Sequence, residues 1–528
     1  MKSKLPYQTG NFTNPDSENL SGARNAEGVN KEVLNREGAN NFSSPIITPP
    51  RNGPSVSSAG GSGGSGGSSG FSASKALFSA DKPRNAAPFS SPISGLSSIS
   101  SSGSISSSGS ISSSGSGISS NVRPAPVVAL DIGTSTVRVV VALPKGDGRV
   151  DIIGVGSAPS RGVRKGVVIN IEATVEAISR AVTQAEKMSG VEISSVYAAI
   201  SGSHIKGINS HGIVAIKNRE VSQFDVEKVI EAAKAVAIPL DREILHVLPQ
   251  EFLIDEQDGI REPLGISGVR LEARVHMVTG AVASAQNVVK CANRCGLEVE
   301  DIVLAGLASG RAVLAPEEQE LGVCLVDIGG GTTDVMVYRA GALRHSAVIP
   351  LGGTHITQDI SAGLGTPVAA AEDIKCRHGV ALAALVGRDE TIEVASTGGR
   401  QSRVLSRQIL AEIIEPRVAE ILGFVHRELM LSGLDDMMSG GLVITGGSAR
   451  LAGLAEIAER IFNLPVRIAA PIDVGGMADL VRSSDMATAV GLASFGADAR
   501  AGQSESFSPS KLISKSLKKV SGWFSRYF

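Results

Sequence analysis

The stretch that most constrains the fold runs from Gly322 to Tyr338, where an apolar run ends in an acid and a cluster of glycines and threonines before a second apolar run begins. The pattern predicts a strand, a tight turn and a second strand. Its glycines lack Cβ atoms, so their N–H groups can approach an anion closely, and its threonines add hydroxyl donors. The turn residues are Gly329, Gly330, Gly331, Thr332 and Thr333. Asp327, at the end of the first strand, suits hydrated Mg²⁺, so we predict a metal nucleotide, although a glycine turn is more often only a hairpin.

The first strand-like segment of the chain repeats this logic. VVALDIGTSTVRVVVALP is a buried-strand run into Asp131, a short turn and another strand-like run. The turn supplies Gly133, Thr134 and Ser135. Two such hairpins could hold one phosphate chain from opposite sides, with Asp131 and Asp327 both able to bind Mg²⁺ through its water ligands. The ordered pair is stronger evidence for a nucleotide site than either hairpin alone.

Two later segments could also contact an anion or a nucleoside. One stands directly before a predicted helix, where backbone N–H groups have no partner within the helix. It consists of Gly352, Gly353 and Thr354. The other runs from Leu442 to Phe462 and predicts a strand, the pair Gly446 and Gly447, and a helix whose N-terminus faces the strand end.

Composition limits the function classes. The chain has 528 residues with 50 Lys and Arg against 52 Asp and Glu, so its net charge gives no electrostatic case for nucleic acid as the main partner. The N-terminal region lacks the apolar core of a secretory signal, and no run of about 18 apolar residues could span a bilayer. Four sparse cysteines fit a reducing cytosol, and the spacing of Cys291 and Cys295 favours helix packing over zinc. We predict a protein of the cytosol or of a membrane surface.

The chain divides into segments of different character. Residues 1–125 are rich in Ser, Gly, Asn and Pro, so we predict a disordered tail that acts as a tether. Helical periodicity predicts a packing helix from Ala173 to Gly190. A mixed block from about Ser194 to Met277 interrupts the pattern like an inserted small α/β module. A second helical stretch, from Arg407 to Leu431, contains Pro416, which must kink the helix or start a new one.

Taken together, these motifs resemble the actin-type ATPase superfamily and, within it, the FtsA family of bacterial cell-division proteins. ALDIGTST is similar to the first phosphate motif of that fold, LVDIGGGTTD to the second, and ITGGSARLAGL, which includes Ser448, to the adenosine motif. The runs HVLPQEFLID, ISSVYAAISGSHI and AEIIEPR narrow the resemblance to FtsA. It covers about residue 126 to the C-terminus. It implies an α/β, actin-like two-domain nucleotide-binding fold with an inserted small SHS2-like subdomain, 1C, and it implies ATP and Mg²⁺ as ligands.

The implied subdomains can be placed on the sequence. They are the N-terminal tail at 1–125, subdomain 1A at 126–193, 278–321 and 473–497, subdomain 1C at 194–277, subdomain 2A at 322–358 and 441–472, subdomain 2B at 359–440, a linker at 498–507 and a C-terminal helix at 508–528.

Other proteins of this fold are alternatives. A sugar or acetate kinase would be a metabolic enzyme, and a DnaK-type chaperone would need a long β-rich domain after the adenosine motif, for which too little chain remains. A PilM-like assembly protein of a pilus or secretion system is the nearest alternative, because it too carries a 1C-like module. The basic amphipathic C-terminus favours FtsA.

One departure from the superfamily pattern affects the predicted chemistry. Where actin-like ATPases usually place a Gln or Glu that orients the attacking water, this chain has Ala305 in LAGLASG. Hydrated Mg²⁺ could still be held, but the water would lack its positioning side chain. The resemblance therefore implies ATP binding with slow or no hydrolysis.

The resemblance also implies partners. The C-terminal tail of the tubulin-like FtsZ would bind subdomain 2B, at the positions of Arg417 and Glu420. Subdomain 1C would mediate self-association. Proteins that act later in division would also bind. The alternative for the two charged residues is an i,i+3 surface ion pair worth only ~0.2 to 0.5 kcal/mol.

Residues 508–528 predict an amphipathic helix that lies in the plane of the cytoplasmic membrane. The resemblance implies that this is the cytoplasmic face of the inner membrane at the division septum. At about 100° per residue, one side of the helix is apolar. Its members are Leu512, Ile513, Leu517, Val520, Trp523, Phe524, Tyr527 and Phe528. The opposite side is basic and would face anionic lipids. Its members are Lys511, Lys515, Lys518, Lys519 and Arg526. The alternative is a terminal helix docked on the protein's own core.

Overall fold

The structure is a computed structural model that describes residues 125–145, 149–398 and 401–504. Its strands are β1 Val127–Ile132, β2 Thr136–Pro144, β3 Val150–Pro159, β4 Val163–Arg164, β5 Val167–Val168, β6 Ser195–Ile200, β7 Lys206–Ala215, β8 Arg242–Ile254, β9 Gln257–Ile260, β10 Arg270–Ala281, β11 Glu298–Leu304, β12 Val323–Ile328, β13 Thr333–Arg339, β14 Ala342–Ile349, β15 Thr391–Val394, β16 Arg403–Ser406, β17 Leu442–Thr445, β18 Val466–Ile468 and β19 Val474–Gly476. Its α-helices are α1 Ile171–Ser189, α2 Gln223–Lys234, α3 Val282–Arg294, α4 Ala305–Val313, α5 Pro316–Leu321, α6 Gly353–Leu364, α7 Val368–His378, α8 Arg407–Ser432, α9 Leu454–Phe462 and α10 Ala487–Ser504. The predicted disordered tail lies outside the described residues.

The first lobe is built on a six-stranded sheet in the order β11-β6-β1-β2-β3-β19. β1 and β2 form the predicted antiparallel hairpin, in which Asp131 pairs with Arg138, and β6 runs parallel to β1. α1 packs alanine, isoleucine and valine side chains against β2 and β3, while α10 packs against β1, β2 and β6. The predicted helix end at Gly190 is confirmed, because this residue is left-handed (φ 69°) and its N–H donates to the carbonyl oxygen of Glu186.

The second lobe repeats this plan on a five-stranded sheet in the order β14-β13-β12-β17-β18. β12 and β13 form the hairpin predicted around the glycine turn, with Asp327 paired to Asp334, and β17 runs parallel to β12. α6 and α8 share one hydrophobic core, which includes Ile360 and Ile414. Each fully buried aliphatic side chain contributes roughly 1.5 to 3 kcal/mol, so this core holds the two helices firmly together.

A smaller module is inserted into the first lobe. Its four-stranded antiparallel sheet has the order β7-β10-β8-β9, and α2 packs on β7 and β10. The module also contacts the second lobe, where His276 Nε2 lies 2.7 Å from Ser346 Oγ. The predicted boundary at residue 194 differs from the sheet topology. The prediction places β6 in the module. In the structure, β6 pairs with β1 and β11 and is an almost continuously buried strand of the first lobe. The small sheet therefore starts at Lys206.

Pro416 does not start a new helix, because α8 is continuous from Arg407 to Ser432. The apolar face of α8 is buried on both sides of the proline, at Ile414 and Val418. Tertiary packing therefore maintains the helix through a residue that cannot donate an internal hydrogen bond.

α10 covers most of the segment that we predict as a linker at 498–507, since it continues through Ser504. Side chains on this last part are anchored to the first lobe. Asp498 lies 3.1 Å from Arg311 Nη2, and Arg500 Nη2 lies 2.6 Å from Glu300. Within the described ranges, no helix combines the length and the apolarity needed to cross a membrane.

Candidate nucleotide-binding site

The two predicted turns meet across a cleft between the lobes. A Cβ atom at Gly331 would come within 2.6 Å of Thr134 Oγ1, and one at Gly330 would overlap with the side chain of Ser135. Only glycine permits so close an approach. The turns therefore contact each other directly, and residues from both of them line the same space.

The cleft has a volume of about 370 Å³, within the range of small-molecule sites. It brings together four segments that are far apart in the sequence. The predicted nucleotide-binding residues that line it are Asp131, Gly133, Thr134, Ser135, Asp327, Gly329, Gly330, Gly331, Thr332, Gly353, Gly446, Gly447 and Ser448.

The other predicted residues, Thr333, Gly352 and Thr354, support the second turn instead of lining the cleft. Thr333 is fully buried, and its Oγ1 donates to a backbone carbonyl just before α6 (2.9 Å). Thr354 Oγ1 donates to the carbonyl oxygen of Gly330 (2.8 Å). A Cβ atom at Gly352 would lie 2.6 Å from the carbonyl oxygen of Gly329, so the two backbones are in contact.

Three aspartates from the two hairpins are electrostatically coupled at this cleft. Asp131 belongs to β1, Asp327 to β12 and Asp334 to β13. Burial raises the pKa of Asp131 to about 6, although Arg138 opposes the shift. Burial and the charge of Asp327 raise the pKa of Asp334 to about 8, and burial also raises the pKa of Asp327. A cation bound here would therefore displace protons.

Hydroxyl groups donate to the two aspartates of the second hairpin. Ser309 Oγ donates to Asp327 Oδ2 at 2.5 Å, and Thr488 Oγ1 donates to the same oxygen at 3.2 Å. Ser201 Oγ lies 2.8 and 3.0 Å from the two carboxylate oxygens of Asp334. Each donor comes from the first lobe, so these bonds hold the second hairpin against the first lobe.

Arg138 is a cleft residue that the sequence analysis missed. Its Nη1 lies 3.9 Å from Asp131, and its Nη2 donates to Asp485 at 2.7 Å. The guanidinium is largely shielded from solvent, with its side chain 17% exposed. A positive charge in this place suits a phosphate ligand. The only signal in the sequence is a basic residue within an otherwise apolar strand.

The carboxylates fit a hydrated cation better than a directly ligated one. Within the described ranges, no group of three or more His, Cys, Asp or Glu side chains could hold a metal directly. Mg²⁺ in nucleotide sites keeps several water ligands and contacts one or two carboxylates. Asp131 and Asp327 are the hard oxygen donors that would hold those waters.

Comparison with known proteins identifies the family. The family model for "Cell division protein FtsA" matches residues 324–491, and that for the "SHS2 domain inserted in FTSA" matches residues 202–279. "Cell division protein FtsA" of Pseudomonas aeruginosa is 53% identical over 370 residues, which cover 70% of this chain and 89% of the relative. The chain belongs to the FtsA family of cell-division proteins. The Escherichia coli K12 member is 46% identical over 414 residues, which cover 76% of this chain and 98% of the relative.

Solved structures agree with the fold. The "PilM-PilN type IV pilus biogenesis complex" matches with a TM-score of 0.52 over 70% of this chain and 98% of that chain, at 17% identity. So low an identity shows a shared fold alone, so the PilM-like alternative has weaker support than membership of the FtsA family. The predicted actin-like α/β fold with an inserted SHS2 subdomain is confirmed.

Two further cleft residues that the sequence does not reveal lie on α7 of this FtsA-family fold. Lys375 and Glu372 line the cleft on the side of the second lobe. Lys375 Nζ lies 2.7 Å from Glu372 Oε2, donates to Thr357 Oγ1 at 2.9 Å and donates to the carbonyl oxygen of Gly353 at 3.1 Å. Their i,i+3 spacing indicates one helix face, but nothing in the sequence indicates that this face meets the cleft.

Ala305 is the first residue of α4 and lines the cleft, where it is 9% exposed. Its methyl group can neither accept nor donate a hydrogen bond. A water beside it would find no side-chain partner at this position.

Arg417 and Glu420 lie together on α8, away from the cleft lining, and form the i,i+3 ion pair considered above. A third member of this group, Asp359, is not apparent from the sequence. Asp359 on α6 accepts from Arg417 Nε at 2.5 Å and from Arg417 Nη2 at 3.1 Å. The predicted membrane helix at 508–528, with all its basic and apolar residues, lies outside the described residues.

Proposed function

We propose that this protein binds Mg-ATP in the cleft and connects FtsZ to the cytoplasmic face of the inner membrane at the division septum. The direct contact of two glycine turns from opposite lobes, beside buried aspartates, is the observation that carries the nucleotide part. Membership of the FtsA family supports the cell-division part.

The cleft offers each part of a nucleotide a suitable partner. The glycine turns would present backbone N–H groups to the phosphates, and Arg138 would add a positive charge. Asp131 and Asp327 would hold Mg²⁺ through its waters, and the ion would neutralise phosphate charge. Glu372 and Lys375, on the second-lobe side, would take the hydroxyl groups of the nucleoside.

ATP hydrolysis would be slow or absent. Ala305 provides no side chain to orient an attacking water. The nucleotide would then act as a structural ligand that closes the lobes on each other, because it would contact both turns at once.

The other proposed interactions use surfaces outside the cleft. The FtsZ C-terminal tail would bind the surface of Arg417 and Glu420 on α8. The inserted SHS2 module would mediate self-association, and later divisome proteins would join the assembly. Residues 508–528 would attach the protein to anionic lipids, since their five basic side chains add on the order of 1 kcal/mol each near such a leaflet.

The experiment is co-sedimentation of the full-length protein with anionic and neutral vesicles, with and without FtsZ and Mg-ATP. The intact chain should pellet with anionic vesicles and carry FtsZ with it. Truncation after Phe507, or Trp523→Glu with Phe524→Glu, should leave a folded protein in the supernatant.

The matched control is Trp523→Phe with Phe524→Leu, which keeps the stripe apolar and should still pellet. Sedimentation of the truncated protein with anionic vesicles would show that the anchor lies elsewhere. If the intact protein pelleted with anionic vesicles but left added FtsZ in the supernatant, the tethering role would be contradicted.

A further inference from the structure

We propose that α6 connects the phosphate turn to the surface of Arg417, with Asp359 as the positioning residue that makes partner binding depend on nucleotide. This inference rests on the proposed function of Arg417 and Glu420. It assigns a role to Asp359 and a regulation to that surface.

The first end of the connection is the start of α6, which is bonded to the second glycine turn. Gly353 N–H donates to the carbonyl oxygen of Gly329 at 2.9 Å. Thr354 donates twice to the carbonyl oxygen of Gly330, from N–H at 2.7 Å and from Oγ1 at 2.8 Å. Three bonds to two consecutive carbonyls leave the turn little freedom to move without the helix.

The middle of the connection is the body of α6, which is held in the core of the second lobe. Ile356 and Ile360 are almost completely buried, and they share a hydrophobic cluster with Ile414 and Val418 of α8. A regular helix rises by about 1.5 Å per residue, so Asp359 lies only about 9 Å along the axis from Gly353. A displacement at the start of α6 therefore reaches Asp359 through one short, rigid element.

The second end is the salt bridge that α6 makes to α8. Asp359 binds two nitrogens of the Arg417 guanidinium, and Glu420 binds the remaining terminal nitrogen. The planar guanidinium fits a carboxylate in this forked manner, which fixes its orientation as well as its charge. The side chain of Arg417 is 27% exposed, so a partner can reach it, in the orientation that Asp359 sets.

Nucleotide binding should therefore tighten the binding of the partner. A phosphate chain that orders the glycine turn also fixes the start of α6, and with it Asp359 and the guanidinium. Preorganised groups bind more tightly because less freedom is lost on association. By thermodynamic linkage, the bound partner must raise the affinity for nucleotide by the same factor.

The experiment measures the Kd of a peptide with the FtsZ C-terminal tail sequence, using full-length protein with and without Mg-ATP. We expect Mg-ATP to lower the peptide Kd of the unchanged protein about five-fold or more, at the lower end of usual couplings. Asp359→Asn should bring this ratio close to one and leave the Kd of Mg-ATP alone unchanged. In Arg417→Lys the ratio of the peptide Kd without and with Mg-ATP should also fall close to one, because lysine keeps the positive charge but not the forked guanidinium that Asp359 orients.

The control is Asp373→Asn, which removes a similar carboxylate on α7. Asp373 pairs with Arg377 at 2.8 Å and contacts neither the glycine turn nor Arg417. This variant should keep the ratio of the unchanged protein, and thermal unfolding should show that all the variants fold.

Three outcomes separate the inference from the function on which it rests. Peptide binding that does not respond to Mg-ATP in the unchanged protein would overturn the coupling but keep the partner surface. An unchanged ratio in Asp359→Asn would overturn the role of Asp359. No peptide binding under any condition would overturn the proposed partner surface and, with it, this inference.

Discussion

The two hairpins of the cleft share one backbone plan and differ in charge. In each, an aspartate near the end of the first strand pairs with a residue directly opposite on the returning strand. That residue is Arg138 opposite Asp131 in the first lobe, but Asp334 opposite Asp327 in the second. The same turn geometry therefore places a basic residue opposite the aspartate in one lobe and a second acid opposite it in the other.

The environment of the two pairs differs accordingly. Arg138 counteracts part of the effect of burial on Asp131. The hydroxyl donors Ser309 and Thr488 offset the burial of Asp327 more than the charge of Arg138 does, and Asp334 accepts from Ser201. A neutral donor stabilises a carboxylate less than a cation does. The second hairpin therefore has more to gain from a bound cation than the first, which gives the cleft a polarity.

The largest expected effect is on the pH dependence of stability without nucleotide or Mg²⁺. Because the pKa of Asp334 is about 8 in the folded protein, the native state keeps a proton that the unfolded chain loses above about pH 4. The free energy of unfolding should therefore fall as pH rises from about 4 to 8, by on the order of 4 kcal/mol between pH 5 and 8. Asp334→Asn should remove the contribution of this carboxyl to the fall, and urea unfolding measured across that range would show it.

Asp131→Asn is the comparison that sharpens this result. The pKa of Asp131 is about 6, so its contribution to the fall should end near that pH. In a plot of the free energy of unfolding against pH, Asp131→Asn should reduce the slope only below about pH 6, whereas Asp334→Asn should also reduce it between pH 6 and 8. Identical curves for the two variants would contradict the difference between the hairpins.

The next effect in size concerns the affinity for Mg-ATP. Asp327→Ala should weaken binding on the order of 100-fold, or about 2.8 kcal/mol, because it removes a carboxylate from the hairpin that carries two paired acids and gains most from a bound cation. Asp131→Ala should cost about ten-fold or less, because Arg138 keeps its 2.7 Å bond to Asp485 and still supplies a positive charge beside the phosphates. Isothermal titration with Mg-ATP would measure both values.

Equal losses in the two variants would remove the polarity proposed for the cleft. Unchanged affinity in Asp327→Ala would mean that the nucleotide binds elsewhere. Ser309→Ala is a milder control that keeps the Asp327 carboxylate but removes its 2.5 Å hydroxyl donor. Its affinity for Mg-ATP should lie between those of Asp327→Ala and the unchanged protein.

The sequence predicts the turns well because their chemistry is local. Gly330 and Gly331 lie beside Thr332 in the chain, so the need for a tight, anion-accessible turn is visible in a few letters. Asp334 and Arg138 could not be found in this way. Each is a charged residue near the start of a returning strand, and only strand pairing shows that both stand opposite an aspartate.

Non-local contacts explain the remaining differences. β6 has the composition of a buried strand, but only its pairing with β1 shows to which sheet it belongs. The segment from Asp498 to Ser504 has the polar, small residues of a linker, yet Arg311 and Glu300 anchor it as part of α10. Asp359 also gains its role from α8, which lies far along the chain.

The smallest expected effect concerns the first glycine of each turn. A Cβ atom at Gly133 would lie 2.6 Å from the carbonyl oxygen of Thr136, and one at Gly329 would lie 3.2 Å from the carbonyl oxygen of Thr332. At Gly133 the added atom requires the turn backbone to shift, which costs roughly 1 to 3 kcal/mol. At Gly329 the neighbouring carbonyl needs to move by only a few tenths of an ångström.

Replacing glycine by alanine also restricts the unfolded chain and stabilises a protein by roughly 0.4 to 1 kcal/mol where the native backbone permits it. The two terms should nearly cancel in Gly329→Ala, while Gly133→Ala should show a net loss of about 1 to 2 kcal/mol in urea unfolding at constant m-value. An equal loss in both variants would mean that the two turns are equally tight. The hairpins would then differ in the charge opposite each aspartate and not in backbone packing.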